Sequence, residues 1–158
     1  MLTEGQANRL WGWMIEAEVR SYYFGDLAAR YTKQKQIITG LSFFLSSGAA
    51  ATLAVKAYWA PLALATIAAC LAAYSIAVSL DRRVVTMSKL HYQWNHLAAD
   101  YERLWHHWYE DNAEETLQDL LKRDREASQV GSCEAPWDEP LIGKWQDRVN
   151  VLRGLAAA

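Results

Sequence analysis

The sequence is poor in residues that cross-link chains or hold metal ions. It has only two cysteines, Cys70 in an apolar run and Cys133 in a polar segment, with no CxxC spacing. Neither a disulfide framework nor a cysteine zinc site is therefore supported. Four histidines occur between positions 91 and 107, but no two lie three or four residues apart. We therefore expect no metal and no cofactor.

A strong net charge and catalytic motifs are also missing. The formal charge of -2 and the pI near 6.1 give no global attraction to nucleic acid, so any contact with a polyanion must be local. There is no GxSxG motif, no supported pair of cysteine and histidine, and no carboxylate within the apolar runs. The sequence therefore predicts a protein that is not an enzyme.

Two long stretches without charged side chains dominate the middle of the chain. Residues 36–55 and 57–80 contain none, and only Lys56 separates them. The nineteen residues of 37–55 cover roughly 28 Å of hydrocarbon at about 1.5 Å per residue, and 62–80 is equally long. Because the connection 56–61 is short, the pattern predicts an antiparallel transmembrane hairpin. The alternative is a soluble bundle in which these two helices are the core.

Basic residues concentrate at the outer ends of this hairpin. They are Arg30, Lys33 and Lys35 before it and Arg82, Arg83 and Lys89 after it, against Lys56 alone in the connection. This asymmetry predicts that both termini are cytoplasmic. The default role of Arg30, Lys33, Lys35, Arg82 and Arg83 is contact with lipid phosphate groups. A nucleotide or oligonucleotide phosphate is the alternative ligand.

We predict an all-α membrane protein with one domain over residues 1–158, in which N-terminal and C-terminal helices form a cytoplasmic bundle. The predicted segments are an N-terminal helix (5–36), a first span (37–55), an extracytoplasmic turn (56–61), a second span (62–80), cytoplasmic helices (81–130), a loop (131–140) and a C-terminal helix (141–158). We expect the last helix to fold back against the N-terminal part. A capping box is predicted at Asn112 and Glu115.

Small and hydroxyl side chains within the spans are candidates for helix packing or for lining a pore. They are Thr39, Ser42, Ser46, Ala65, Ala69, Ala73, Ser75 and Ser79. Small residues allow close contact between membrane helices, and weakly polar faces can line water. The hydroxyl groups can instead bond to the backbone of their own helix.

A seam of apolar and aromatic residues follows the second span in steps of three and four. It consists of Met87, Leu90, Trp94, Leu97, Tyr101, Leu104 and Trp108. Such a seam can join subunits in the manner of a coiled coil. It can equally pack on the other helices of the same subunit, and this spacing does not separate the two.

The segment Ser21-Tyr22-Tyr23-Phe24-Gly25-Asp26-Leu27-Ala28-Ala29-Arg30, which leads through residues 31–35 into the apolar hairpin, resembles the SLATT family. The resemblance covers residues 17–108. This family comprises two-span effectors associated with nucleotide-sensing or nucleotide-synthesising partners. The resemblance implies a bacterial antiviral effector that permeabilises the inner membrane and halts the infected cell. The implied partners are a nucleotide or oligonucleotide ligand or a nucleotidyltransferase.

Two hypotheses for function remain open at the level of the sequence. In the first, the chain is a gated, channel-like homo-oligomer in the lipid bilayer, a tetramer or larger, because two spans from one subunit cannot enclose water. In the second, the hairpin only anchors a scaffold whose cytoplasmic helices bind a partner protein.

Overall fold

The structure, a computed structural model, describes residues 1–54 and 59–155, with the backbone alone for 49–54 and 60. The described residues form five α-helices and no strand, so the prediction of an all-α chain is confirmed. The helices are α1 (Glu4–Ala54), α2 (Ala60–Ala77), α3 (Leu80–His106), α4 (Ala113–Glu134) and α5 (Glu139–Leu152). Residues 55–58 of the predicted first span and turn, and 156–158 of the predicted last helix, lie outside the described residues.

The chain divides by its contacts into two compact units. We call Met1–Ala28 together with Thr86–Ala158 the helical unit, and Ala29–Val85 the apolar unit. Both α1 and α3 contribute residues to each unit.

Helix α1 joins two segments that the sequence analysis treated separately, 5–36 and 37–55. No proline interrupts residues 1–54, so the helix can continue from the polar into the apolar segment. Its start is fixed by a capping box that the sequence analysis missed. Gln6 N donates to Thr3 Oγ1 at 3.3 Å, and Thr3 N donates to Gln6 Oε1 at 2.8 Å.

The second predicted span ends slightly early. Helix α2 stops at Ala77, and Ser79 adopts a left-handed φ of 51° before α3 begins at Leu80. The amide of Ser79 donates to the carbonyl of Ile76 at 3.0 Å, which gives one of the last carbonyl groups of α2 a hydrogen-bond partner. The predicted 62–80 is therefore a helix followed by a two-residue break, Val78 and Ser79, rather than one uninterrupted helix.

Most of the seam on α3 is buried inside a single chain. Its buried members are Met87, Leu90, Trp94, Leu97, Tyr101 and Leu104. Helix α1 supplies part of the cover, because the ring of Trp13 lies 6.4 Å from that of Tyr101. Burial of each such side chain contributes about 1.5–3 kcal/mol to stability. An interface between subunits could use this seam only after the core had opened.

Trp108 does not belong to the seam, contrary to the sequence prediction. Helix α3 ends at His106, and Trp108 follows in a turn with 39% of its surface exposed. Its carbonyl accepts a hydrogen bond from Leu2 N at 3.0 Å. The helical spacing that placed Trp108 on the seam no longer applies after the helix has ended.

The connection between α4 and α5 is shorter than the predicted loop of 131–140. Helix α4 continues through a buried Gly131 to Glu134, because the ring of Phe24 packs over this glycine. Asn112 is the N-cap residue of α4, as predicted, but its side chain makes no capping hydrogen bond, so the predicted capping box is not formed. Helix α5 is capped by Asp138, whose Oδ1 accepts from Leu141 N at 3.1 Å.

Helix α5 packs against the N-terminal part of α1, which confirms the predicted fold-back. The rings of Tyr22 and Trp145 stack at 5.1 Å with an angle of 12° between their planes. Arg153 Nε, just after α5, donates to Glu18 Oε2 at 2.9 Å. These contacts place the end of α5 beside α1 in the helical unit.

Candidate functional site

The apolar unit carries large apolar side chains on its outside. Phe43 is 76% exposed, Phe44 74% and Ile76 78%. Among the described residues, the helical stretch Pro61–His106 is the one long and apolar enough to cross a membrane, and none of its most apolar 18-residue window is buried. The core helix of a soluble protein would have such a window largely covered by the rest of the chain.

The alanine stripe does not form the contact within the chain. Ala65, Ala69 and Ala73 are exposed. The half-buried side of α2 consists instead of Pro61, Leu64, Ala68, Leu71 and Ser75. The three alanines lie on the outer surface of α2 in the single chain, and their role as packing residues stays a prediction.

The hydroxyl candidates fall into two groups. Ser42 and Ser75 are half-buried, whereas Thr39, Ser46 and Ser79 are exposed. Ser46 Oγ donates to the Ser42 carbonyl at 2.8 Å, and Ser79 Oγ donates to the Ile76 carbonyl at 3.4 Å. Both bonds stay within the local backbone, as the alternative interpretation predicted for such hydroxyls.

The five candidate phosphate ligands, Arg30, Lys33, Lys35, Arg82 and Arg83, are all exposed residues of the apolar unit. Lys35 Nζ lies 2.5 Å from Asp81 Oδ1. Arg83 Nη1 donates to the Tyr31 hydroxyl at 3.5 Å, and its guanidinium lies 5.7 Å from the centre of that ring. Asp81 is the only acidic residue between positions 29 and 85. The charged residues of the unit are therefore mostly basic.

A cavity of 670 Å³ lies inside the helical unit, and the sequence analysis did not predict it. Side chains from all four of that unit's helical segments and from the connection 135–138 line it. Its apolar wall includes Ile15, Val19, Phe24, Trp94 and Ile142. Its shape depends on how the helices pack, which no spacing of residues along one helix reveals.

One ion pair lies on the cavity wall. Arg20 pairs with Glu16 one turn earlier on α1, and its Nη1 donates to Ser128 Oγ at 2.6 Å. The guanidinium lies 4.6 Å from the centre of the buried Trp94 ring, a cation–π geometry. The indole N–H of Trp94 is buried and has no hydrogen-bond partner within the described part of the chain.

The mouth of the cavity is formed by the connection between α4 and α5. The Tyr23 hydroxyl donates to the Pro136 carbonyl and accepts from Asp138 N at 3.3 Å. Trp137 lines the cavity and is 80% exposed. Tyr23 therefore holds the connection in place while Trp137 faces solvent.

Two polar contacts tie the helices of this unit together away from the cavity. Arg153 Nη1 donates to Glu102 Oε1 at 2.7 Å, and this hydrogen bond lowers the pKa of Glu102 and raises that of Arg153. Burial raises the pKa of Tyr101, and the neighbouring Asp124 carboxylate raises it further. The Tyr101 hydroxyl therefore stays protonated and donates to Asp124 Oδ2 at 3.2 Å.

Comparisons with family models, with curated proteins and with solved structures found no match to this chain.

Proposed function

We propose that this protein is an effector of the SLATT type in the bacterial inner membrane. In this proposal it forms a channel-like homo-oligomer, acts in anti-phage defence by abortive infection, and is gated by a nucleotide-type signal or a partner protein. The observation that carries its membrane location is the apolar window of Pro61–His106, none of which the chain itself covers. In a bilayer, lipid chains would cover that surface, so that its apolar area would not be exposed to water.

Contacts within the apolar unit support the hairpin. A Cβ on Gly48 would lie 3.7 Å from Leu64, and Gln34 Nε2 lies 3.4 Å from the Tyr74 hydroxyl. Residue numbers thus fall along α2 as they rise along α1, as in an antiparallel pair. The pair of Lys35 and Asp81 joins the outer ends of the two runs. The excess of basic residues at these ends supports cytoplasmic termini.

The exposed faces of α1 and α2 are the surfaces through which we propose that subunits meet. The α3 seam is buried in the chain's own core and is not available for assembly. Ala65, Ala69 and Ala73 are exposed and small, which suits close contact with a neighbouring helix. In this arrangement Thr39 and Ser46 are the candidate pore-facing hydroxyls.

Ion flux from liposomes tests the conducting function. With the wild-type protein, cations should enter the liposomes and change the fluorescence of an entrapped cation indicator. Ser46→Leu should abolish this flux by placing an apolar side chain in the pore. Ser47→Leu is the matched control, since residue 47 is also exposed but is turned about 100° around the helix. Equal flux from all three proteins would exclude Ser46 as a pore residue. Absence of flux from the wild type at every protein density would exclude a channel that opens without its signal.

The alternative is a membrane-anchored scaffold that does not conduct. Burial of the α3 seam favours the scaffold, because the seam that suggested assembly of subunits is already packed inside one chain. Expression in bacteria separates the two functions. A channel should collapse the membrane potential once it is activated, whereas a scaffold should leave the potential intact and copurify with a heterologous protein.

A further inference from the structure

Most polar side chains of the cavity wall already have partners inside the protein, whereas the buried indole N–H of Trp94 has none among the described residues. Arg20 binds Glu16 and Ser128, Ser132 Oγ donates to the Gln129 carbonyl at 2.9 Å, and Gln146 Nε2 donates to Asn150 Oδ1 at 3.1 Å. A ligand that needed these groups would have to break existing hydrogen bonds. Without such a cost the wall offers aromatic and aliphatic surface and one hydrogen-bond donor, the indole N–H of Trp94.

The wall also carries no net charge. Among the described residues, Arg20 and Glu16 are the only charged ones on the wall, and they neutralise each other. An anionic ligand would meet a guanidinium whose charge Glu16 already offsets and whose Nη1 already binds Ser128. A phosphate group therefore does not suit this cavity, and the exposed basic residues of the apolar unit are not among its walls.

The size of the cavity fits a small organic molecule. Ligand pockets usually enclose about 300–1,000 Å³ and are mostly apolar with a few fixed polar groups. The 670 Å³ here falls in that range. Apolar walls hold water poorly, because a buried water needs two or more polar partners.

We propose that this cavity is a binding site for an uncharged, largely apolar small molecule with an aromatic or branched aliphatic body. The proposal concerns the helical unit alone and holds whether or not the protein conducts ions. The ligand packs on the faces of Phe24 and Tyr23 and enters beside Trp137 at the mouth. The paired Arg20 and Glu16 form a polar wall that does not require a charged ligand.

Photolabelling with 3-trifluoromethyl-3-phenyldiazirine, an uncharged apolar probe, tests the site on the full-length protein in detergent. Adducts are mapped by mass spectrometry after digestion. Labelling of Tyr23 and Phe24 should saturate and should be prevented by excess naphthalene. Labelling of the exposed Phe43 and Phe44 should not saturate, because there the probe only partitions with the detergent. Adenosine triphosphate at the same concentration should give no protection at Tyr23 and Phe24.

A pair of tryptophan substitutions provides the control for position. Ser132 is an exposed wall residue, so Ser132→Trp fills the cavity from its rim and should remove the saturable labelling. Ser88 is exposed on α3 and is not a wall residue, so Ser88→Trp should leave the labelling unchanged. Equal thermal midpoints of the variants and the wild type would confirm that each is folded. Labelling that persists in Ser132→Trp, or protection by adenosine triphosphate equal to that by naphthalene, would overturn the proposal.

Discussion

Gly25 lies on α1 directly against the ring of His91 on α3. A Cβ at this position would lie 3.0 Å from His91 Nδ1 and 3.2 Å from Cε1. The ring has little freedom to move, because Nδ1 donates to the Ser21 carbonyl at 2.8 Å. Gly25→Ala therefore forces the helices apart or breaks this hydrogen bond. Overpacking costs about 1–3 kcal/mol, and the better helix propensity of alanine returns about 0.5–1 kcal/mol. We expect a net loss of roughly 1 kcal/mol, within a range of about 0–2.5 kcal/mol.

Gly131→Ala is the matched control, since this glycine is also helical and also faces an aromatic ring. Its added Cβ would lie 3.1 Å from Phe24 Cζ. Phe24 borders the cavity and can retreat into it, so the gain in propensity offsets the contact and the net change should stay within about 0.5 kcal/mol.

Tryptophan fluorescence during thermal unfolding gives the midpoints of the two variants and the wild type. Trp59 is the only one of the eight tryptophans in the apolar unit, so the signal reports chiefly on the helical unit. A loss of 1 kcal/mol should lower the midpoint by about 4–8 °C. Equal midpoints for Gly25→Ala and the wild type would refute the close packing of His91, and a larger drop for Gly131→Ala would refute the freedom of Phe24.

Three further changes follow from the same structure. Arg153→Gln should destabilise the helical unit by about 1–2 kcal/mol in chemical denaturation, since it breaks two partly buried ion pairs, whereas Arg9→Gln at an exposed site should change stability by less than about 0.5 kcal/mol. The lowered pKa of Glu102 means that its pair with Arg153 stabilises the fold above the ordinary glutamate pKa and is lost as the pH falls through the lowered value. The wild type should therefore lose more stability on acidification than Arg153→Gln, and parallel pH curves would refute this. Ser79→Gly should raise the thermal midpoint by removing a left-handed penalty of about 1 kcal/mol, while Ser75→Gly within α2 should lower it.

Periodicity predicted the helical unit well because its helices have one apolar and one polar face. The seam from Met87 to Leu104 is buried, and α5 folds back on α1. The error at Trp108 arose at a helix end, where spacing carries no information once the helix has stopped. Gly131 was read as part of a loop because its packing partner, Phe24, is more than a hundred residues away in the chain.

The contact face of α2 could not be predicted in the same way. Nearly every residue from 62 to 78 is apolar or small, so no polar face marks the side that points outward. The regular spacing of Ala65, Ala69 and Ala73 suggested a packing stripe, but the half-buried side contains Leu64, Leu71 and others. The cavity was missed for a related reason, since it depends on the angles between helices and on the course of residues 135–138.

We propose that residues 37–80 form a hairpin in the bilayer, with its connection outside the cell and both chain termini in the cytoplasm. Labelling of spheroplasts with a membrane-impermeant maleimide tests it most directly. Trp59→Cys in a Cys70→Ala, Cys133→Ala background should react in intact spheroplasts, because residue 59 is exposed at the connection. The native Cys133, exposed on α4, should react only after lysis. Labelling of Cys133 in intact spheroplasts, or of the residue-59 cysteine only after lysis, would contradict the account.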